Sequence, residues 1–209
     1  MNNSITNDFY IYSIKNSLSK PLCKEIIERF NNEDGKHSGI TFGGENKDIK
    51  DTTDFHLSRN PAVWTDIDKV LTNELSKGLE EYINYLNKDI MIYSYYGISD
   101  LGFQIQKYEK GVGKYIFHND SQVYLKQGWV RDFTYIWYLN TIEEGGETSF
   151  FNKGKVKAEQ GKLVFFPATW DYPHSGLMPV SDDKYIITGW VSHTINRTND
   201  IREDWFRSP

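Results

Sequence analysis

Cysteine is almost missing from this chain: Cys23 is the single one in 209 residues. That excludes a disulfide framework and any Cys-rich zinc site. Long apolar runs are missing too. The longest, residues 163–168 and 185–191, have strand length and fall far short of the ~20 residues a membrane-crossing helix needs. Residues 1–20 hold no cationic patch followed by an apolar core, so no signal peptide is expected, and the reading is a cytoplasmic protein without a membrane partner. Positive charge is not in excess either. Twenty-four Lys and Arg against 29 Asp and Glu leave a net charge of −5, which argues against a nucleic-acid partner held through its phosphates. What is plentiful is aromatic: 14 Tyr, 12 Phe and 6 Trp favour strands.

A length of 209 residues suits one domain, 1–209. Its first part, 1–95, reads as mainly helical. Leu22, Ile26, Ile27 and Phe30 follow Pro21 at helical spacing. Asn60-Pro61 opens a second helix with Val63, Ile67, Leu71, Leu75, Leu79, Tyr82 and Leu86 on a broad apolar face. Between them, residues 31–57 are rich in Gly, Asp, Asn and Lys and read as a long loop with at most one short strand. Residues 96–195 change texture. The runs 104–108, 133–139, 162–166 and 185–191 are short, aromatic or β-branched, and separated by Gly- and Asp-containing turns. This pattern predicts a sandwich or barrel of antiparallel strands, and hence an α+β chain whose N-terminal helices brace a β core. The tail, 196–209, is polar except for Trp205-Phe206, which are expected to dock it.

Five histidines are available: His37, His56, His118, His174 and His193. His118 and Asp120 are two apart, so on an extended segment both point to one side and can grip one ion. Alone, such a pair is more often a polar strand end. A third ligand would complete a two-His, one-carboxylate face with open positions, which suits non-haem Fe(II). His174 is the natural candidate, in a turn directly after the apolar run 163–168. Lys184 follows ten residues later and opens the strand in which Lys184, Ile186, Thr188 and Trp190 share a face. If that face lines the barrel, Lys184 is a lone ammonium in an apolar chamber, costly unless a carboxylate answers it. The plainer alternative is a lysine snorkelling at a strand end.

The ordered set is sharper than its parts. His118-x-Asp120, Arg131-x-x-Thr134, Tyr138-Leu139-Asn140, Glu144-Gly145-Gly146-Glu147-Thr148-x-Phe150, His174-x-Gly176, Pro179-Val180 and Lys184-Tyr185 with Trp190 closely resembles the prolyl 4-hydroxylase family of 2-oxoglutarate- and Fe(II)-dependent dioxygenases. The resemblance spans roughly 104–191. It implies a double-stranded β-helix, or jelly roll, with the metal at its open end. His118, Asp120 and His174 would bind Fe(II). Lys184, helped by Thr148 and Tyr108, would bind the far carboxylate of 2-oxoglutarate, and Trp190 would pack beside the metal. Arg131 and Tyr115 match positions that face a peptide substrate. The implied reaction consumes O2 and 2-oxoglutarate, releases succinate and carbon dioxide, and hydroxylates an amino-acid side chain, with peptidyl proline the leading substrate. Ascorbate is an optional reductant.

Three other readings stay open at this point. The same chemistry could act on a free amino acid or small metabolite. A metal-binding jelly roll without turnover would not need Lys184 and Thr148. Nucleic-acid demethylation lacks a Lys/Arg cluster near the site. Among the remaining residues, Cys23 is expected in a buried helix, His37 and His56 as solvated loop histidines, and Lys153, Lys155 and Lys157 as an exposed strand edge that discourages strand addition.

Overall fold

The computed structural model describes residues 9–41, 43–88, 98–124 and 128–194. The Trp205-Phe206 tail lies outside the described residues. Strand β1 (Tyr12–Ile14) precedes helix α1 (Lys20–Asn31). Five short strands follow: β2 (His37–Ser38), β3 (Ile40–Thr41), β4 (Gly44–Glu45), β5 (Lys50–Asp51) and β6 (Thr53–His56). After a single 3-10 turn comes helix α2 (Pro61–Leu86). The remaining strands are β7 (Ile98–Asp100), β8 (Gln104–Tyr108), β9 (Lys114–His118), β10 (Val123–Tyr124), β11 (Trp129–Tyr138), β12 (Thr148–Phe150), β13 (Gly154–Val156), β14 (Leu163–Pro167), β15 (His174–Gly176) and β16 (Lys184–Thr194).

Two antiparallel sheets carry the site. The larger runs β1-β14-β11-β16-β8-β6-β2, with β10 and β7 added on β11 and β16; the smaller runs β13-β12-β15-β9-β5. Strand parity explains the core. Phe133, Tyr135 and Trp137 of β11, Leu163 and Phe165 of β14, and Tyr185 and Ile187 of β16 join the apolar faces of α1 and α2 in one buried cluster. The alternate residues Ile136, Tyr138, Val164, Phe166 and Ile186 turn the other way, to meet Tyr108, Phe150 and Val156. A sheet buried on both faces reads as a continuous apolar run, which is why these strands show little alternation.

Both helices start where the sequence predicts. Ser19 caps α1 through its side chain, which accepts from the Leu22 N–H, and proline occupies the first turn of each helix. Helix α2 lies close on the large sheet. Tyr82 stacks on Phe165 at 5.2 Å and meets Phe133 edge-on at 5.1 Å. Gly78 permits this approach, since a Cβ there would sit 2.6 Å from Leu163 Cδ2. Cys23 is fully buried in α1, and β13, with its flanking lysines, forms an edge of the small sheet.

The segment expected to be a loop differs. Residues 37–56 hold five strands of two to four residues. Lys50 and Asp51 pair with Tyr115 and Lys114 of β9, while Thr53–His56 pairs with β8. Strands this short have no readable period. β5 and β6 find their partners some 50 to 65 residues on, while β2 pairs with β6 and β3 with β4, so pairing rather than local pattern makes them strands. His37 and His56 are therefore strand residues, half-buried, with rings stacked at 6.3 Å.

Candidate metal and cosubstrate site

A cavity of about 750 Å³ opens between the two sheets. All nine residues singled out from the sequence line it: Tyr108, Tyr115, His118, Asp120, Arg131, Thr148, His174, Lys184 and Trp190. The small sheet supplies the histidines. His118 ends β9 and His174 begins β15, and the two stand directly opposite each other in the ladder, with ring centroids 4.3 Å apart. Asp120 sits just beyond β9, with its oxygens 3.9 Å from His118 Nε2 and 3.5 Å from His174 Nε2. One ligand atom from each residue lies within 4.8 Å of the others, the size of a three-point metal face.

The surroundings prepare these atoms as ligands. His118 Nδ1 lies 2.8 Å from the Ile116 carbonyl and His174 Nδ1 lies 3.1 Å from the Tyr172 carbonyl. A carbonyl can only accept, so each Nδ1 carries the proton and each Nε2 keeps its lone pair for a cation. Thr134 Oγ1 donates to Asp120 Oδ2 at 2.7 Å. Burial and the adjacent His174 push the His118 imidazole down to about 4. Burial also works against the Asp120 carboxylate, but His174, His118 and the Thr134 hydrogen bond outweigh it and hold that group below its ordinary range. Tyr115 stacks on His118 at 3.5 Å, and Phe166 meets His174 edge-on at 4.6 Å, so the rings have little freedom to turn. Two imidazoles and one carboxylate on one side of a cavity fit Fe(II) with positions to spare.

The large sheet supplies the charge. Lys184 is 1% exposed. Its Nζ donates to the Gly146 carbonyl at 3.0 Å and lies over the Tyr108 ring, 3.9 Å from the centroid. Among the described residues no carboxylate pairs with it. Burial pulls its pKa down to about 7, only partly opposed by Glu147. Tyr138 donates to Thr148 Oγ1 at 2.7 Å, which leaves the Thr148 hydroxyl proton to give to a ligand. The Tyr108 hydroxyl donates to Gln106 at 3.2 Å. Gly176 makes room for that ring, since a Cβ there would meet it at 2.8 Å.

Arg131 lies flat on Trp190 at 3.6 Å, beside the triad. The Trp190 indole nitrogen is buried with no hydrogen-bond partner, yet close enough to Asp120 to help hold its charge.

Sequence reasoning missed a second group of lining residues: His37, Lys50, His56, Arg59, Gln104 and Gln106. They form a polar recess organised by Asp54, which is fully buried and paired with Lys50 at 2.6 Å. Asp54 accepts from Thr52 and Gln104, Gln104 accepts from Gln106, and Gln106 accepts from Tyr108. No motif marks these residues. The alternation of Gln104, Gln106 and Tyr108 on one strand was the readable signal.

Residues 103–192, the stretch with every candidate ligand, match the model of the 2OG-Fe(II) oxygenase superfamily. No curated protein matches the chain. Solved structures do. The viral collagen prolyl hydroxylase of Paramecium bursaria Chlorella virus-1, in complex with 2OG, is 21% identical over 91% of this chain and 100% of its own, with a TM-score of 0.62. A Trichoplax adhaerens prolyl hydroxylase, in complex with a hypoxia inducible factor peptide fragment, is 19% identical over 88% and 84%, with a TM-score of 0.66. A Pseudomonas putida prolyl-4-hydroxylase is 18% identical over 86% and 91%, with a TM-score of 0.62. At such identities these likenesses speak for the fold, a jelly roll of the 2OG oxygenase type. Over that matched segment, a little under half of the chain, the protein is similar to the 2OG-Fe(II) oxygenases. Its cofactors are accordingly Fe(II) and 2-oxoglutarate, with O2 as the other substrate.

Proposed function

We propose that the protein hydroxylates prolyl residues in a peptide or protein, with His118, Asp120 and His174 as the Fe(II) ligands and Lys184 as the anchor of 2-oxoglutarate. The observation that carries this reading is the Lys184 ammonium, buried without a carboxylate partner in the same cavity as the triad. An uncompensated buried cation is expensive, and a dicarboxylate cosubstrate reaching from the metal to Lys184 removes the expense. Peptidyl proline is favoured by the three similar structures named above, each described as a prolyl hydroxylase.

When bound, the metal and 2-oxoglutarate supply the oxidising power that puts one atom of O2 into a C–H bond, with succinate and carbon dioxide as co-products. The chain's own residues bind and orient. Lys184 and the free proton of Thr148 hold the distal carboxylate. The Tyr108 ring steadies the ammonium by its π face. Tyr115, with its hydroxyl pushed up to about 12 by burial and by Asp120, stays neutral and can donate to a substrate carbonyl. Arg131 and Trp190 wall the substrate side, while Phe150 and Phe166 sheath His174 and keep water from it. In this reading the N-terminal helices brace the jelly roll, and the lone buried cysteine suits a reducing cytoplasm.

An anaerobic titration with Fe(II) and then 2-oxoglutarate tests the site, because chelation by the cosubstrate gives a visible charge-transfer band. The band should appear and be lost in Asp120→Ala. Proline-containing peptides should then gain one oxygen with matching succinate. A band without any peptide oxidation would move the substrate to a free amino acid or small metabolite.

A further inference from the structure

The cavity carries more positive charge than its cofactors neutralise. Lys50, Arg59, Arg131 and Lys184 line it, against one acid, Asp120. Lys50 is answered by Asp54 behind it. On the function proposed above, on which this inference rests, Lys184 is answered by the distal carboxylate of 2-oxoglutarate. Asp120 and the proximal carboxylate together offset the two charges of Fe(II). Arg59 and Arg131 are left over, and among the described residues neither forms an ion pair with an acidic side chain.

Hydrogen bonding points the same way. Buried side-chain nitrogens without a partner include His37 Nε2 and Arg131 Nε, and both residues line this cavity. Arg131 lies over the Trp190 ring at 3.6 Å, and although one terminal nitrogen reaches the Asp120 carbonyl at 3.5 Å, its Nε has no acceptor among the described residues. His37 Nδ1 donates to the Ser38 carbonyl, leaving Nε2 directed elsewhere. Arg59 is exposed at the end of the 3-10 turn, on the recess side. The chain as a whole is acidic, at −5, so this positive surplus is local to the cavity and not a general surface property.

We propose that the cavity selects acidic peptides, in which the residue to be hydroxylated is flanked by Asp or Glu side chains, one taken by Arg131 beside the triad and another by Arg59 and His37 in the recess. The guanidinium fork matches a carboxylate, and the apolar lining from Ile40, Ile136 and Ile186 suits the aliphatic residue between.

The test uses two fluorescent peptides with a central proline, one flanked by Asp and Glu and the other by the isosteric Asn and Gln. Each is titrated by anisotropy against the protein loaded anaerobically with Fe(II) and 2-oxoglutarate, and each is also assayed for hydroxylation. The acidic peptide should bind about tenfold more tightly at low salt, with the gap narrowing at roughly 0.5 M salt. Arg59→Glu, a change at an exposed residue, should shrink the ratio severalfold while leaving the melting temperature near that of the wild type. Equal binding of the two peptides, or a ratio untouched by Arg59→Glu, overturns the proposal. If both are hydroxylated alike and bound alike, acidic selection falls and prolyl hydroxylation stands. If the acidic peptide binds selectively but is never hydroxylated, acidic selection stands and prolyl hydroxylation falls. If neither peptide binds, both fall.

Discussion

The two ends of the cavity are built differently. At the metal end, His118 and His174 face each other across one β-ladder, and their outer nitrogens are tied to the carbonyls of Ile116 in β9 and of Tyr172 just before β15. That leaves both Nε2 atoms, with the Asp120 carboxylate beside them, for a ligand. At the recess end, Lys50, Asp54, Thr52, Gln104 and Gln106 satisfy one another, and the network ends at Tyr108 next to Lys184. The metal end keeps lone pairs and charge for a guest, whereas at the recess end most polar groups answer one another and, among the described residues, only Arg59 and His37 Nε2 are left over. The contrast teaches that a buried polar residue signals function when its partners are missing and structure when they are present.

That contrast can be broken by mutation, and the largest effect belongs to the metal end. Replacing His174 or Asp120 with Ala should abolish Fe(II)-dependent succinate formation while circular dichroism stays that of a folded protein. Turnover in either variant would remove the triad. Next, Lys184→Ala should weaken 2-oxoglutarate on the order of 100-fold by calorimetry, because it strips a buried carboxylate of its partner. Lys184→Met should lose the cosubstrate in the same way and yet raise the melting temperature of the cofactor-free protein, since a buried unpaired ammonium is traded for an apolar chain. A melting temperature below that of the wild type would mean that Lys184 stabilises the fold.

Acidity gives a smaller and more graded effect. The Lys184 pKa is held at about 7 in the folded protein, against 10.5 for an ordinary lysine. Between those values the unfolded chain binds the extra proton, so this group makes the cofactor-free protein more stable as pH rises from 7 towards 10. Cosubstrate binding needs the ammonium. Affinity for 2-oxoglutarate should therefore be flat below pH 7 and fall by about tenfold per unit above it. A flat profile from pH 6.5 to 9 in the wild type would contradict this, as would the same slope in Lys184→Ala.

At the recess end the readout is stability. Lys50→Met leaves Asp54 buried and unpaired, and should lower stability by about 3–5 kcal/mol, a drop of roughly 10 °C in melting temperature. Its effect on 2-oxoglutarate affinity should stay well below that of Lys184→Ala. The smallest change is Gly78→Ala, far from the cavity. Its Cβ would press on Leu163 and Phe165, for a loss of about 1–3 kcal/mol in thermal unfolding and none in cosubstrate binding.

Much of the metal end is legible in the chain because its geometry is local or periodic. His118-x-Asp120 needs only an extended segment. The parity of β16 puts Lys184, Ile186, Thr188 and Trp190 on one face, and all four line the cavity. The proline-started helices carry long apolar periods. The recess end is illegible for the opposite reason. Within residues 37–56, β5 and β6 pair with β9 and β8, β2 pairs with β6 and β3 with β4, and a two-residue strand has no period to read. His193 is similar: assigned no role from sequence, it lies 2.7 Å from Asp132, a partner 61 residues away.

The sequence by itself determined the chemistry on offer: two histidines and a lysine on strands, with a carboxylate two residues beyond one of them on the extended chain. The tertiary structure alone decided which protons those groups hold and which charges go unanswered. Tautomer, pKa and pairing depend on carbonyls, hydroxyls and acids contributed by other strands, whose distances are set by folding and not by spacing along the chain.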